Sequence, residues 1–200
     1  MLSIRPRNFV LLSVLALSAS ISLWAGDLKP EEIIAKHLDS IGTAQARQGV
    51  KSRVIQGGAT YRVIQGGHGA IDGKYVFASE GAKSYFLFKI NTTSYRGEQF
   101  ICDGNKSSVA ATWSDKTHSE FGEFVLSQDI LLKDNLLGGA WSSGWPLLDI
   151  DNRRPKLHSE GTKKIDGKEL LAIRYQPKKS TDLDIKMYFD PQTFHHVMTS

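Results

Sequence analysis

The stretch Leu183-Asp-Ile-Lys-Met-Tyr-Phe-Asp-Pro-Gln-Thr-Phe194 decides the reading of the fold. Leu183, Ile185, Met187 and Phe189 fall on one face of an extended chain, and Asp184, Lys186 and Tyr188 on the other. Asp190-Pro191 supplies a turn, and residues 195–200 begin another strand. One apolar and one wet face is the pattern of a half-buried antiparallel strand. The preceding segments agree. Residues 156–165 and 168–176 read as strands, with Asp166-Gly167 as the tight turn between them. Leu171, Ile173 and Tyr175 share one face.

Period two also governs the chain from Lys51 onward. Residues 54–55, 60–64, 74–79, 83–91, 94–102 and 107–113 read as strands rich in Val, Ile, Tyr, Phe and Thr. Asp72-Gly73 and Asp103-Gly104-Asn105 read as turns, and Gly66-Gly67-His68-Gly69 as a flexible hairpin connection. Arg53-Val-Ile-Gln-Gly-Gly58 recurs as Arg62-Val-Ile-Gln-Gly-Gly67. Two copies are too few for a solenoid, so they are expected on neighbouring strand pieces with glycine bends.

Residues 115–149 break the alternation. Phe121, Phe124, Val125, Leu126, Ile130, Leu131, Leu132, Leu136, Leu137, Trp141, Trp145, Leu147 and Leu148 crowd a segment interrupted by Gly138-Gly139 and Gly144. Phe121, Phe124 and Val125 fit one short helix, and Ile130–Leu132 the start of another. An insertion this long must fold over something apolar. It either plugs a curled sheet as core or lies over a greasy cavity as a lid.

Before the strands stands one clear helix. Pro30, Glu31 and Glu32 suit its first turn, Ile33, Ile34, His37, Leu38 and Ile41 recur at helical spacing, and Gly42 ends it. Thr43 is placed to cap a second short helix reaching Gln48. His37 is expected to be a satisfied, half-buried histidine. About nine or ten strands remain, too many for one flat layer. The fold class is therefore α+β: a curled antiparallel sheet, an unclosed β-barrel, with an N-terminal helix and a helical lid insertion.

Arg5 and Arg7, an apolar run from Phe9 to Trp24 and the small pair Ala25-Gly26 have the layout of a secretory signal peptide over residues 1–26. The run is short for a membrane span of ~20 residues. No cysteine follows it to carry a lipid. The expected product is one soluble periplasmic domain, residues 27–200, acting as a monomer. The net charge of +4 falls to +2 without Arg5 and Arg7, which argues against nucleic acid. Cys102, the sole cysteine, is read as a buried structural thiol.

The search for chemistry returns little. There is no G-x-S-x-G elbow, H-E-x-x-H, C-x-x-C or phosphate-binding glycine loop. His195 and His196 are adjacent, and neighbours on a strand point to opposite faces, so they are poorly placed to share a metal. Asp182 and Asp184 on a wet face serve solubility. Neither catalysis nor a cofactor is expected.

The signal peptide, the opening Pro30-Glu-Glu-Ile-Ile-Ala-Lys-His-Leu38, the many strands, the greasy insertion and Phe189-Asp190-Pro191-x-Thr193 together resemble the LolA/LolB-like lipoprotein carriers, over nearly the whole mature chain. The resemblance implies an unclosed barrel around a hydrophobic cavity with helices as its lid. It also implies lipoprotein acyl chains or another lipid as cargo, and membrane-bound donor and acceptor proteins. The arginine that holds the lid in those carriers has no matching position here, and the chain halts soon after the Asp-Pro turn. Phe86, Phe88, Ile90, Leu171, Ile173, Tyr175, Met187 and Phe189 are the expected walls. Trp113, Phe121, Phe124, Leu136, Leu137, Trp141 and Trp145 are the expected rim or lid. The competing reading is an envelope sensor or adaptor that binds another protein through a sheet edge or the Trp-rich segment.

Overall fold

A computed structural model of the protein describes residues 28–63, 69–92, 95–112, 118–178 and 182–200. The expected signal peptide, Trp113 and most of the second Arg-Val-Ile-Gln-Gly-Gly copy lie outside them. Among the described residues no helix is long and apolar enough to cross a membrane.

Helix α1 spans Pro30–Ser40. The Glu32 carboxylate accepts from the Lys29 N–H at 2.8 Å, satisfying a donor that the first turn leaves open. Ile33, Ile34 and His37 form its buried stripe. Gly42, at φ 129°, lets the chain leave the helix. The Thr43 hydroxyl then caps α2 (Ala44–Gly49) by accepting from Ala46 N.

Among the described residues nine strands follow, in two antiparallel meanders. The first sheet has the order β1 (Ser52–Val63), β2 (Gly69–Glu80), β3 (Lys83–Ile90), β4 (Glu98–Cys102), β5 (Ser107–Ala111). The second has β6 (Lys156–Ile165), β7 (Lys168–Gln176), β8 (Ile185–Phe189), β9 (His196–Thr199). Neither sheet closes, so α+β architecture with open antiparallel sheets holds. Between the sheets run α3 (Glu120–Ser127), α4 (Ile130–Lys133), 3-10 turns at Leu136–Trp141 and Pro146–Asp149, and α5 (Ile150–Arg153).

Several local expectations are corrected. Residues 54–55 and 60–63 are not separate strands; they belong to the one strand β1, which carries the first Arg-Val-Ile-Gln-Gly-Gly copy and opens the second, and residue 64 lies outside the described residues. Asp72-Gly73 is not a turn but lies inside β2, where Gly73 pairs with Ala59 and Ile90. A Cβ on residue 73 would collide with the Lys89 carbonyl oxygen and with the Ile90 side chain, 2.5 Å from its Cδ1. The outer face of the second sheet is only partly wet. Asp184 meets Arg174 and Lys186 there, but Leu170, Ala172 and Tyr188 form a small buried cluster with Ile165 and Met198.

The main core fills the inner face of the second sheet. Leu171, Ile173, Tyr175, Ile185, Met187 and Phe189 meet Ile33 and Ile34 of α1 and Leu136, Trp145 and Leu147 of the insertion. Each such buried side chain contributes roughly 1.5–3 kcal/mol. A second core lies over β4 and β5, where Val125 of α3 and Leu132 of α4 cover Phe100, Cys102 and Val109. The inner face of β1, β2 and β3 is only partly covered: Gly138 of the 3-10 turn lies against Phe77, and Phe86 and Phe88 border the second core.

Candidate ligand groove

That partly covered face is an aromatic groove. Alternation on β2 and β3 sends Tyr75, Phe77, Phe86, Phe88 and Ile90 inward. Gly57 stands opposite Tyr75 in register. A Cβ there would come within 2.9 Å of the Tyr75 ring, so the glycine makes room for the phenol. The rings then touch in series. Tyr75 stacks on Phe86 at 5.9 Å, Phe86 meets Phe88 edge-on at 4.4 Å, Phe88 meets Phe100 at 6.1 Å, and Phe100 meets Phe121 of α3 at 5.4 Å. Such edge-on and offset pairs add about 0.5–1.5 kcal/mol each beyond burial.

Two cavities follow this row and share Phe88. One, of about 310 Å³, is lined by Ile55, Ala59, Tyr75, Phe77, Phe86, Phe88, Leu137, Gly138 and Trp141. The other, of about 770 Å³, is lined by Ala59, Tyr61, Phe88, Ile90, Tyr95 and Phe121, with Thr60, Arg62, Ser119 and Glu120 as its polar edge. A separate cleft of about 620 Å³ on the opposite side of β3 and β4 is floored by Tyr85, Leu87, Lys89, Arg96 and Gln99, and does not share the aromatic row.

The expected walls therefore divide. Phe86, Phe88, Ile90, Phe121, Leu137 and Trp141 come together at the groove. Phe124 is on α3, 44% exposed and outside the lining. Leu171, Ile173, Tyr175, Met187 and Phe189, expected as walls, and Leu136 and Trp145, expected at the rim or lid, lie instead in the closed core that α1 and the second sheet form together. Ile55, Ala59, Tyr61, Tyr75, Phe77 and Tyr95 are lining residues that sequence reading missed. The alternation of Tyr75 and Phe77 within β2 was the available signal.

The groove wall at Leu136–Trp141 is fastened on both sides. Gly138 packs on the Phe77 ring of the first sheet, and Gly139 packs on the His196 ring of the second. Ser143 N donates to the Ser79 hydroxyl at 2.9 Å. Buried Asn135 accepts from Ser142 Oγ at 2.9 Å. Asp134 accepts from the Tyr175 hydroxyl at 2.9 Å and pairs with Arg153 at 2.7 Å; burial, then the Asp134 charge, push the Tyr175 phenol up. Trp145 Nε1 donates to His37 Nε2 at 3.3 Å. Most of the insertion is thus a packed bridge between the sheets.

At the other end Glu98 holds the start of α3. It is fully buried. Its Oε1 accepts from Ser119 N at 2.5 Å, and its Oε2 from Ser119 Oγ at 2.7 Å and Tyr95 OH at 2.9 Å. A carboxylate with three donors at a helix N-terminus is well placed. Desolvation and the Glu98 charge raise the Tyr95 phenol. Among the described residues no three His, Cys, Asp or Glu side chains gather to hold a metal ion.

Comparisons with protein families, with curated proteins and with solved structures find no match.

Proposed function

We propose that the protein is a periplasmic carrier that shields an acyl chain, of a lipoprotein or another lipid, in the aromatic groove, in the manner of the LolA/LolB-like carriers its sequence resembles. One observation carries this reading: a continuous apolar trough over β1, β2 and β3 with open volume beside it. The second sheet satisfies its own apolar face internally; the first has lining to spare. A buried methylene is worth ~0.8 kcal/mol, so ten of them supply about 8 kcal/mol toward the cost of ordering a chain. The lid role falls to α3, whose Phe121 closes the larger cavity while Phe124 faces outward. Delivery would proceed between membrane-bound donor and acceptor proteins.

The test is titration of the mature protein with a fluorescent fatty acid at pH 7, with native mass spectrometry and lipid extraction of the purified protein. Saturable one-to-one uptake that Phe88→Asp abolishes supports the carrier. No uptake and no co-purifying lipid reject it.

The adaptor reading has one observation in its favour. β1 is a twelve-residue strand that, among the described residues, stands at the edge of its sheet beside β2, with Val54 74% exposed. Such an edge accepts a strand from another protein. A proline at Val54 that removes partner binding while leaving fatty-acid uptake intact would favour it.

A further inference from the structure

Both sides of the groove's wall are held, and the second-sheet side is held by histidines. His37 is fully buried. Its Nδ1 lies 3.0 Å from the Phe194 carbonyl and its Nε2 3.3 Å from the Trp145 indole nitrogen. A carbonyl only accepts and an indole N–H only donates. One form of the ring satisfies both: neutral, with the proton on Nδ1 and the lone pair on Nε2. A second proton would set two donors against each other and place a charge in the main core.

His196 completes the cluster. Its ring centroid is 4.9 Å from Trp145, 5.7 Å from Phe189 and 6.4 Å from His37. Gly139 lies against it, and its Nε2 is 2.9 Å from the Thr199 hydroxyl. The charged and titratable groups facing His37 are Arg47, beyond α1, and His195 and His196 beside and on β9; His196 faces His37 in turn. Lys36 sits over the adjoining Phe194 ring at 5.0 Å. These neighbours are positive or become so in acid, and none of them compensates a new imidazolium.

We propose that His37 and His196 form a proton-operated clasp: their protonation frees the segment from Leu136 to Trp145 from the second sheet and opens the groove. The inference rests on the carrier reading for its purpose, but not for its chemistry. Gly139, against His196 of β9, and Trp145, bonded to His37 of α1, join Leu136 in holding the segment to the main core, while Leu137, Gly138 and Trp141 between and beside them form the groove wall. Losing the contacts at Gly139 and Trp145 leaves the wall tied to the first sheet only through Gly138 on Phe77 and Ser143 on Ser79, and so loosens it over the groove. Burial holds both imidazoles below the usual histidine range, and His196 is pushed down to about 4. The proton therefore favours the released form, and release grows as pH falls below 6.5.

The experiment is hydrogen exchange by mass spectrometry on the mature protein at pH 7 and pH 4.5, expressed as protection factors, with fatty-acid uptake measured at pH 7 on the same sample. The expected result is at least a tenfold loss of protection in residues 136–145 at pH 4.5, with the amides of β2 and β3 unchanged. His196→Phe keeps the ring packing and removes one proton site, and should reduce that loss at least threefold. Equal protection at the two pH values, a loss shared equally by β2 and β3, or an undiminished loss in His196→Phe would each overturn the clasp. Absent uptake at pH 7 rejects the carrier reading instead and leaves the exchange result to judge the clasp alone.

Discussion

Gly138 lies against the outer end of the Phe77 ring, so close that a Cβ at residue 138 would collide with Cζ, Cε1 and Cε2. Phe77 is 3% exposed and cannot swing away without breaking its contact with Phe86 at 5.7 Å. Gly138→Ala should therefore destabilise the fold by about 1–3 kcal/mol through overpacking. Gly58→Ala meets nothing within 4 Å and should cost nothing, or gain about 0.5 kcal/mol. Urea midpoints of the two variants, compared at constant slope, check this contrast.

Trp141 and Trp145 belong to one segment and should behave in opposite ways. Trp141 is 67% exposed at the groove, while Trp145 is fully buried and bonded to His37. Trp141→Asp should change stability by no more than about 0.5 kcal/mol and weaken fatty-acid uptake at least tenfold. Trp145→Ala should cost about 3–5 kcal/mol. Paired denaturation and uptake curves read both; intact uptake in Trp141→Asp would remove that residue from the groove.

Tyr175 is 1% exposed, and its hydroxyl joins the Asp134–Arg153 pair. Tyr175→Phe keeps the ring in the core and removes one donor from a mostly buried carboxylate. The expected loss is about 1–2 kcal/mol in thermal or urea unfolding. Fatty-acid uptake at pH 7 should be unchanged, because the residue is core and not groove.

Stability should fall with acid in two separate windows. The folded form binds protons at His196 only near pH 4, whereas the unfolded histidine binds them near 6.5. The unfolded state therefore holds more protons between those values, and stability drops as pH falls from 6.5 to 4. His196 alone accounts for at most about 3 kcal/mol, and His37 acts in the same direction. Asp103 and Asp190 are held below the usual carboxylate range by backbone N–H donors, so their contribution is lost only below pH 3.8. Urea melts at half-unit steps from pH 7 to 3 should show the first window shrink in His196→Phe and the second remain.

The periodic parts of this fold were legible in its sequence. Pro30, Glu32 and Thr43 cap the helices as their chemistry requires. The row Leu171, Ile173, Tyr175 faces inward as alternation demands. Asp190 builds the turn after β8 by accepting from Gln192 N, Thr193 N and Thr193 Oγ1. That turn presents the Phe194 carbonyl to His37, a partner 157 residues away that no local pattern announces. Distance in sequence also hid which half of the apolar lining stays open. Phe86 and Ile173 look alike along the chain, yet α1 closes over the row of Ile173, while the row of Phe86 is only partly covered and borders open volume. Asp72-Gly73 misled because its glycine answers to the Ile90 side chain across the sheet and not to a reversal of the chain.

Helix α1 rests on the sheet of β6 to β9, and the His37–Phe194 bond joins parts of the fold 157 residues apart. A chain delivered amino-terminus first can assemble the five-stranded half while α1 still waits with Ile33 and Ile34 wet. Completion is vectorial: the loop closes only when β8 and the turn beyond it arrive. Shortening the polypeptide by its final dozen residues should strand that helix and leave a half-built, aggregation-prone intermediate.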